Sequence, residues 1–207
     1  MALFAFQARP ERLDGLTPDR RRIADDVAAI RTAGATVISD ALFEAAQYLA
    51  RAAPQRRHAL ILISDNENTL KGYTGDREVI REALESQTVI YSVRVGAGLQ
   101  AHYHGWPVEL PLYRDISVPR ITGETGGEVI EAPNARALDS AMATVIERLK
   151  QRYTLGYQST NHRHDGAFRS IEVRVAGSSP ATATRYTVYN RRGYYALAER
   201  TASRESP

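Results

Sequence analysis

Cysteine is absent from this 207-residue chain, which excludes disulfides, thiol catalysis and thiolate metal sites without choosing a compartment. Lysine is nearly absent: of 27 basic residues, only Lys71 and Lys150 are not arginine. The arginines are scattered, with Arg20, Arg21 and Arg22 opening one helical stretch and Arg191 and Arg192 near the C-terminus. No basic stripe interleaved with aromatics appears. The net charge of +3 and the sequence pI of about 9.3 therefore read as solvated faces, not as a nucleic-acid footprint. No run of about 18 apolar residues exists, so no membrane-spanning helix is predicted. Met1-Ala2-Leu3-Phe4-Ala5-Phe6 lacks the basic start and long apolar stretch of a secretory signal and reads as a strand. Nucleophile elbow, His-Glu-x-x-His and phosphate loop are all missing. What is present is ordinary globular composition, 43% hydrophobic and 25% charged, enough for one core and a small second unit.

The pattern alternates strands with helices. Residues 2–8 read as a short buried strand, with 11–16 pairing back as a hairpin. Thr17 as N-cap and Pro18 at the first helical position predict a helix burying Ile23, Val27 and Ile30 and ending near Ala33-Gly34. A second helix starts near Ser39-Asp40. The run His58–Ile63, closed by Ser64-Asp65, has the look of a central parallel strand covered on both faces. A helix over 76–86, a strand over 88–95, an irregular loop over 97–114, a short helix over 116–124, a strand over 128–131 and a long helix over 134–151 follow. Such alternation predicts an open parallel sheet with helices on both faces. Beyond residue 152 three strands are expected, 153–158, 168–176 and 182–190, with Asp165-Gly166 as a hairpin signal. The predicted organisation is thus 1–152, a β extension over 153–198 and a disordered tail over 199–207.

Three motifs carry a resemblance. Gly34-Ala35-Thr36-Val37-Ile38-Ser39-Asp40-Ala41-Leu42, Leu60-Ile61-Leu62-Ile63-Ser64-Asp65 and Thr122-Gly123-Glu124-Thr125-Gly126-Gly127 resemble, in order, three signatures of von Willebrand factor A-type domains. Tyr153-Thr154-Leu155-Gly156-Tyr157, Phe168-Arg169-Ser170-Ile171-Glu172-Val173 and Arg192-Gly193-Tyr194-Tyr195 resemble a bacterial, acidobacterial-type branch of that family. The resemblance implies a Rossmann-like α/β sheet with a Mg²⁺ adhesion site at the carboxyl ends of its strands. It also implies a protein partner whose acidic side chain completes the metal shell, and an extracytoplasmic full-length protein. Thr36 matches the family's Thr ligand and Asp65 the Asp after its fourth strand; Asp40 and Ser64 are possible supporting residues. The family's Asp-x-Ser-x-Ser loop and first strand have no counterpart, and Asn66 and Asn68 replace a common Gly and a common acid. A lost central strand would bury four or five apolar side chains, on the order of 6–15 kcal/mol at about 1.5–3 kcal/mol each, comparable to the whole stability of a domain. The expectation is therefore a truncated chain.

Competing readings are simple. Asp65 can merely cap a turn, Asp40 can merely start its helix, and Ser64 can be a strand-end residue. His102 with His104, and His162 with His164, would each present two imidazoles on one face if extended. With carboxylates these would make a zinc site and an enzyme, but solvated loop histidines are the simpler account. His58 reads as structural, Tyr194-Tyr195 as packing of the small β unit, and Trp106 as equally a loop-core residue or a partner anchor. The leading expectation is a non-enzymatic protein-binding module, with a metal-independent assembly module as its rival.

Overall fold

The computed structural model describes residues 1–31, 35–96, 116–175, 187–196 and 198, together with the backbone of 102–103 and 106–107. Two short strands, β1 (Leu3–Phe6) and β2 (Pro10–Asp14), form an antiparallel hairpin. Helix α1 (Arg20–Ala29) follows, capped by Asp19, whose Oδ1 accepts from the backbone N–H of Arg21 and Arg22. The predicted Thr17 cap is corrected: Thr17 Oγ1 accepts from Asp19 N at 3.1 Å, one step outside the helix. Asp19 wins because its carboxylate reaches two free N–H groups and sits at the positive end of the helix.

None of the α1 residues is buried. Val27 and Ile30 stay 50% and 37% exposed, so the expected apolar stripe has no surface to cover. A ten-residue helix without a buried face is marginal in water. Here its tie to the hairpin is the ion pair from Arg22 to Asp14, 2.9 Å.

The central layer is a parallel sheet of β3 (His58–Ser64), β4 (Thr88–Val95) and β7 (Val129–Ala132), in the order β3-β4-β7. Helices α2 (Ile38–Ala52), α3 (Asp76–Glu85) and α4 (Val118–Thr125) cover one face, and α5 (Ala135–Lys150) covers the other. Alternation along β4 divides the core. Ile90 points to Leu42, Val79, Leu84 and Ile121, while Val89, Tyr91 and Val93 point to Ala141 and Val145. His102–Tyr103 (β5) and Trp106–Pro107 (β6) pair antiparallel; the rest of the predicted 97–114 loop lies outside the described residues.

Within the described residues β3 is an edge strand, which corrects its reading as central; its faces are packed on both sides, Leu60 and Leu62 on the side of α2, α3 and α4 and Ala59 and Ile61 on the side of α5. It pairs only with β4, the β1–β2 hairpin forms a separate sheet, and Ile63 is 46% exposed. Helix α2 touches the hairpin and β3 alike, so it bridges a break in the strand layer.

The last three positions of the Glu-Thr-Gly-Gly motif each have a physical account. Thr125 Oγ1 donates to the carbonyls of Ile121 and Thr122 and accepts from Ile90 N. Gly126 closes α4 at φ 89°, the left-handed geometry that favours glycine. Gly127 leaves no room for a side chain against the carbonyl oxygen of Ile90.

Of the three strands expected after residue 152, the structure retains Phe168–Ser170 (β8), which pairs antiparallel with Gly193–Tyr195 (β9). Residues 153–158 form no strand, and Ile171, Val173 and Val175 lie past the end of β8. The fragments are too short to pair fully, and Val175 is 50% exposed. Of the predicted 182–190 strand, 187–190 are irregular and 182–186 lie outside the described residues, as does the 199–207 tail. The small unit docks through Tyr195, whose ring lies 4.9 Å from the Arg81 guanidinium, and through Arg192 N, which donates to Glu124 O.

Candidate functional site

The loop before α2 and the loop after β3 lie side by side at the carboxyl end of the sheet. Thr36 O accepts from Thr69 N and Leu70 N, and Thr36 N donates to Thr69 Oγ1 at 2.7 Å. Asn68 is fully buried and its Oδ1 accepts from Ile38 N at 2.8 Å, in effect serving as the cap of α2. The fold thus brings the Thr36 and Asp65 loops together, 30 residues apart in sequence across the Asn68–Ile38 bond.

Asp65 Oδ1 accepts from Glu67 N at 3.1 Å and from Ser64 Oγ at 3.3 Å. Ser64 Oγ in turn accepts from Asn66 N. Asn66 holds φ 67°, a left-handed conformation that Asn tolerates better than most side chains. Its Oδ1 accepts from Ser92 Oγ, while its buried Nδ2 has no acceptor. These contacts make Ser64 and Asn66 turn-forming residues.

Asp40 is a different case. Its carboxylate is 4% exposed and accepts from Thr74 N, Thr74 Oγ1 and Tyr73 N at 3.0, 2.9 and 3.2 Å. A Cβ at Gly72 would fall 2.5 Å from Asp40 Oδ1, so only glycine lets the 72–74 turn close over the carboxylate. Asp40 is a clasp between α2 and this turn. Beside it, Tyr73 Oη donates to Glu44 Oε1 at 2.6 Å. Loss of water around the phenol, then the Glu44 hydrogen bond and charge, raise its ionisation above the usual tyrosine range, and with the residue 67% exposed solvent screens much of that effect.

Sign follows from that shift. Unfolded chains ionise tyrosine near pH 10, whereas native Tyr73 resists. Its contribution is fully present below about pH 10 and drains away as the pH rises towards the native value. Melting temperature measured across the alkaline range should therefore fall less steeply in Tyr73→Phe than in the wild type.

Mg²⁺ wants about six oxygens in octahedral array. Thr36 and Asp65 give at most two side-chain positions, Asn68 is committed to Ile38, and the unsatisfied Asn66 Nδ2 is a donor, which repels a cation. No group of three His, Asp or Glu side chains able to hold a metal occurs among the described residues. The residues present do not make a magnesium site by themselves. His162 and His164 are exposed, and the side chains of His102 and His104 lie outside the described residues. His58 bridges the carbonyls of Ser86 and Ala53 at 2.9 and 2.8 Å, a structural role.

Sequence reasoning missed one feature: a groove of about 470 Å³ between the hairpin and α2, lined by Phe4, Arg12, Glu44, Tyr48 and Tyr73 among others. Arg12 stacks 4.7 Å from the centre of the Tyr48 ring. Only the hairpin's placement on α2 creates it, so no local motif announces it.

Among solved structures, the chain is similar to the conserved hypothetical protein BatB from Bacteroides thetaiotaomicron. The two share 18% identity over 73% of this chain and 79% of that one, with a TM-score of 0.54. It is similar as well to an aerotolerance-related membrane protein from Bacteroides fragilis, studied with multiple mutations to serines, at 16% identity, 72% and 79% coverage and a TM-score of 0.54. These likenesses show the fold: an α/β sheet flanked by helices. No family model matches the chain, and no curated protein does. In this parallel sheet, the Thr36 and Asp65 loops occupy the carboxyl end of the strands, where open α/β sheets place their ligand sites. No helix among the described residues is long and apolar enough to cross a membrane.

Proposed function

We propose that this chain is a non-enzymatic protein-binding module of the adhesion or assembly kind, with the carboxyl end of β3, Ile63 and the adjoining Thr36–Asp65 loops, as its working surface. The observation that carries this reading is the meeting of the Thr36 and Asp65 loops at the carboxyl end of the sheet, where open α/β sheets place their ligand sites. Ile63, at the same end of β3, is 46% exposed, and Val27 on α1 and Ile30 just beyond it add uncovered apolar surface.

Capture of a partner on tagged chain in its native cells is the test. Ile63→Lys abolishes co-purification, while Glu131→Gln, on the opposite edge strand, does not. Equal capture by both variants and the wild type rules the surface out.

A second reading keeps the metal. Mg²⁺ held by Thr36 and Asp65, with an acidic side chain of the partner, would supply electrostatic capture of a carboxylate. The donor count favours metal-independent binding in this chain. Addition of magnesium at millimolar concentration should leave its melting temperature unchanged, because only a ligand well above its Kd stabilises, by about 2.7 kcal/mol at a hundredfold excess. A clear upward shift that vanishes in Asp65→Ala would restore the metal site.

A further inference from the structure

The groove between the hairpin and α2 has a volume of about 470 Å³, within the roughly 300–1,000 Å³ of small-molecule sites. Tyr48 is held there from three sides. Its Oη accepts from Leu16 N at 2.9 Å, the Phe4 ring stands 5.6 Å from its own at 58°, and the Arg12 guanidinium lies 4.7 Å from its ring centre. Phe43, packed against the core, and the exposed ring of Tyr73 add further aromatic lining. Glu44, Gln47 and Arg51 follow at helical spacing, on the side of α2 opposite buried Leu42, Ala45 and Ala46. The groove therefore opens on the outer side of the helix, away from the sheet.

Charge decides what that lining takes. Arg12 and Arg51 are exposed and enter no ion pair among the described residues. Arg51 gives one N–H to Gln47 Oε1 at 3.4 Å; the rest of both guanidinium forks can receive a carboxylate. Both adjoin Tyr48, Arg12 against its ring and Arg51 one turn further along α2. Glu44, the one acid among the described lining residues, already accepts from Tyr73 Oη at 2.6 Å. It stands two turns before Arg51, about 10 Å along the helix axis. Two arginines less one glutamate leave a single net positive charge, matched by one carboxylate and not by a dianionic phosphate. We propose that the groove binds a small aromatic carboxylate, its ring packed against Phe4, Tyr48 and Tyr73 and its carboxylate in the forks of Arg12 and Arg51. Offset or edge-on ring pairs gain more than their buried area accounts for, which favours an aromatic body over an aliphatic one. Charge-assisted hydrogen bonds are about twice as strong as neutral ones, which favours the acid over its amide. Tyr48 is already fixed by its own contacts, so little freedom is lost when the ligand arrives.

Proton–nitrogen NMR titration of the 207-residue chain tests this with three probes. Indole-3-acetate binds with a Kd below about 1 mM and shifts the Tyr48 and Arg51 amide signals. Indole-3-acetamide has the same shape without the charge, and acetate has the charge without the ring. Each binds at least about tenfold more weakly, roughly 1.4 kcal/mol. Arg12→Gln and Arg51→Gln each weaken indole-3-acetate by a similar factor, with circular dichroism spectra unchanged because both side chains are exposed. Arg57→Gln removes an exposed arginine outside the groove and leaves the affinity as it was. No binding of indole-3-acetate at millimolar concentration, equal affinity for the acid and its amide, binding that survives both groove substitutions, or an equal loss in Arg57→Gln overturns the proposal.

Discussion

Asp40→Ala lowers the unfolding free energy by about 3 kcal/mol, because the change strands two backbone donors and a hydroxyl inside the protein. Thr74 N, Thr74 Oγ1 and Tyr73 N all end on that carboxylate at 3.2 Å or less. The magnitude decides between two roles. A carboxylate that merely favours the start of α2 through the helix dipole contributes about 0.3–1 kcal/mol. A buried clasp contributes several times that. Denaturant unfolding of Asp40→Ala measures the difference directly, and a loss below about 1 kcal/mol returns Asp40 to the helix-start role. Asp40→Asn should fall between, since one oxygen still accepts while the amide opposes the other donor.

Gly127→Ala is the second large effect. A Cβ there would stand 2.0 Å from the carbonyl oxygen of Ile90 and 2.7 Å from its carbon. These are backbone atoms of β4 at its most buried point, with Ile90 0% exposed, so no side chain can swing away. Either the entry into β7 or β4 itself has to move, which breaks the Ser92 N to Glu128 O bond of 3.0 Å. The expected loss is at least about 3 kcal/mol. A domain of this size then melts on the order of 10 °C lower. Gly123→Ala serves as the control within the same motif, since nothing lies within 4 Å of its added carbon. Equal melting temperatures for the two variants would mean that the close approach is not real.

The helices and parallel strands were legible because their signals are local. Alternation in Thr88–Val95 and the stripe of α2 fix each element without reference to anything distant. Placement of β3 was not legible. A continuous apolar run reads as a central strand covered on both faces; the coverage is local, but how many neighbouring strands it has depends on the rest of the chain. The same limit explains α1. Its Ile23, Val27 and Ile30 have helical spacing, yet burial needs a facing surface, and the described residues provide none. At the candidate site, Thr36 and Asp65 were found from motifs and their loops do meet. The clasp role of Asp40 was hidden because its partners, Tyr73 and Thr74, lie more than thirty residues away. Asn68, read as a lost acid, turned out to cap Ile38. In the C-terminal unit, alternation in 168–176 announced a strand longer than the structure keeps, since alternation shows a two-faced surface but not a partner.

The central claim is that the carboxyl end of β3, with Ile63 and the Thr36–Asp65 loops, is a protein-binding surface. A photo-crosslinking side chain placed at position 63, and at position 131 as the opposite-edge control, tests it in the native cell. The account predicts a crosslinked product from position 63 heavier than 22.9 kDa by the mass of one polypeptide, and none from position 131. A product at twice the mass identifies a second copy; any other discrete mass identifies a different protein on the same surface. No product from position 63, or equal products from both positions, contradicts the account.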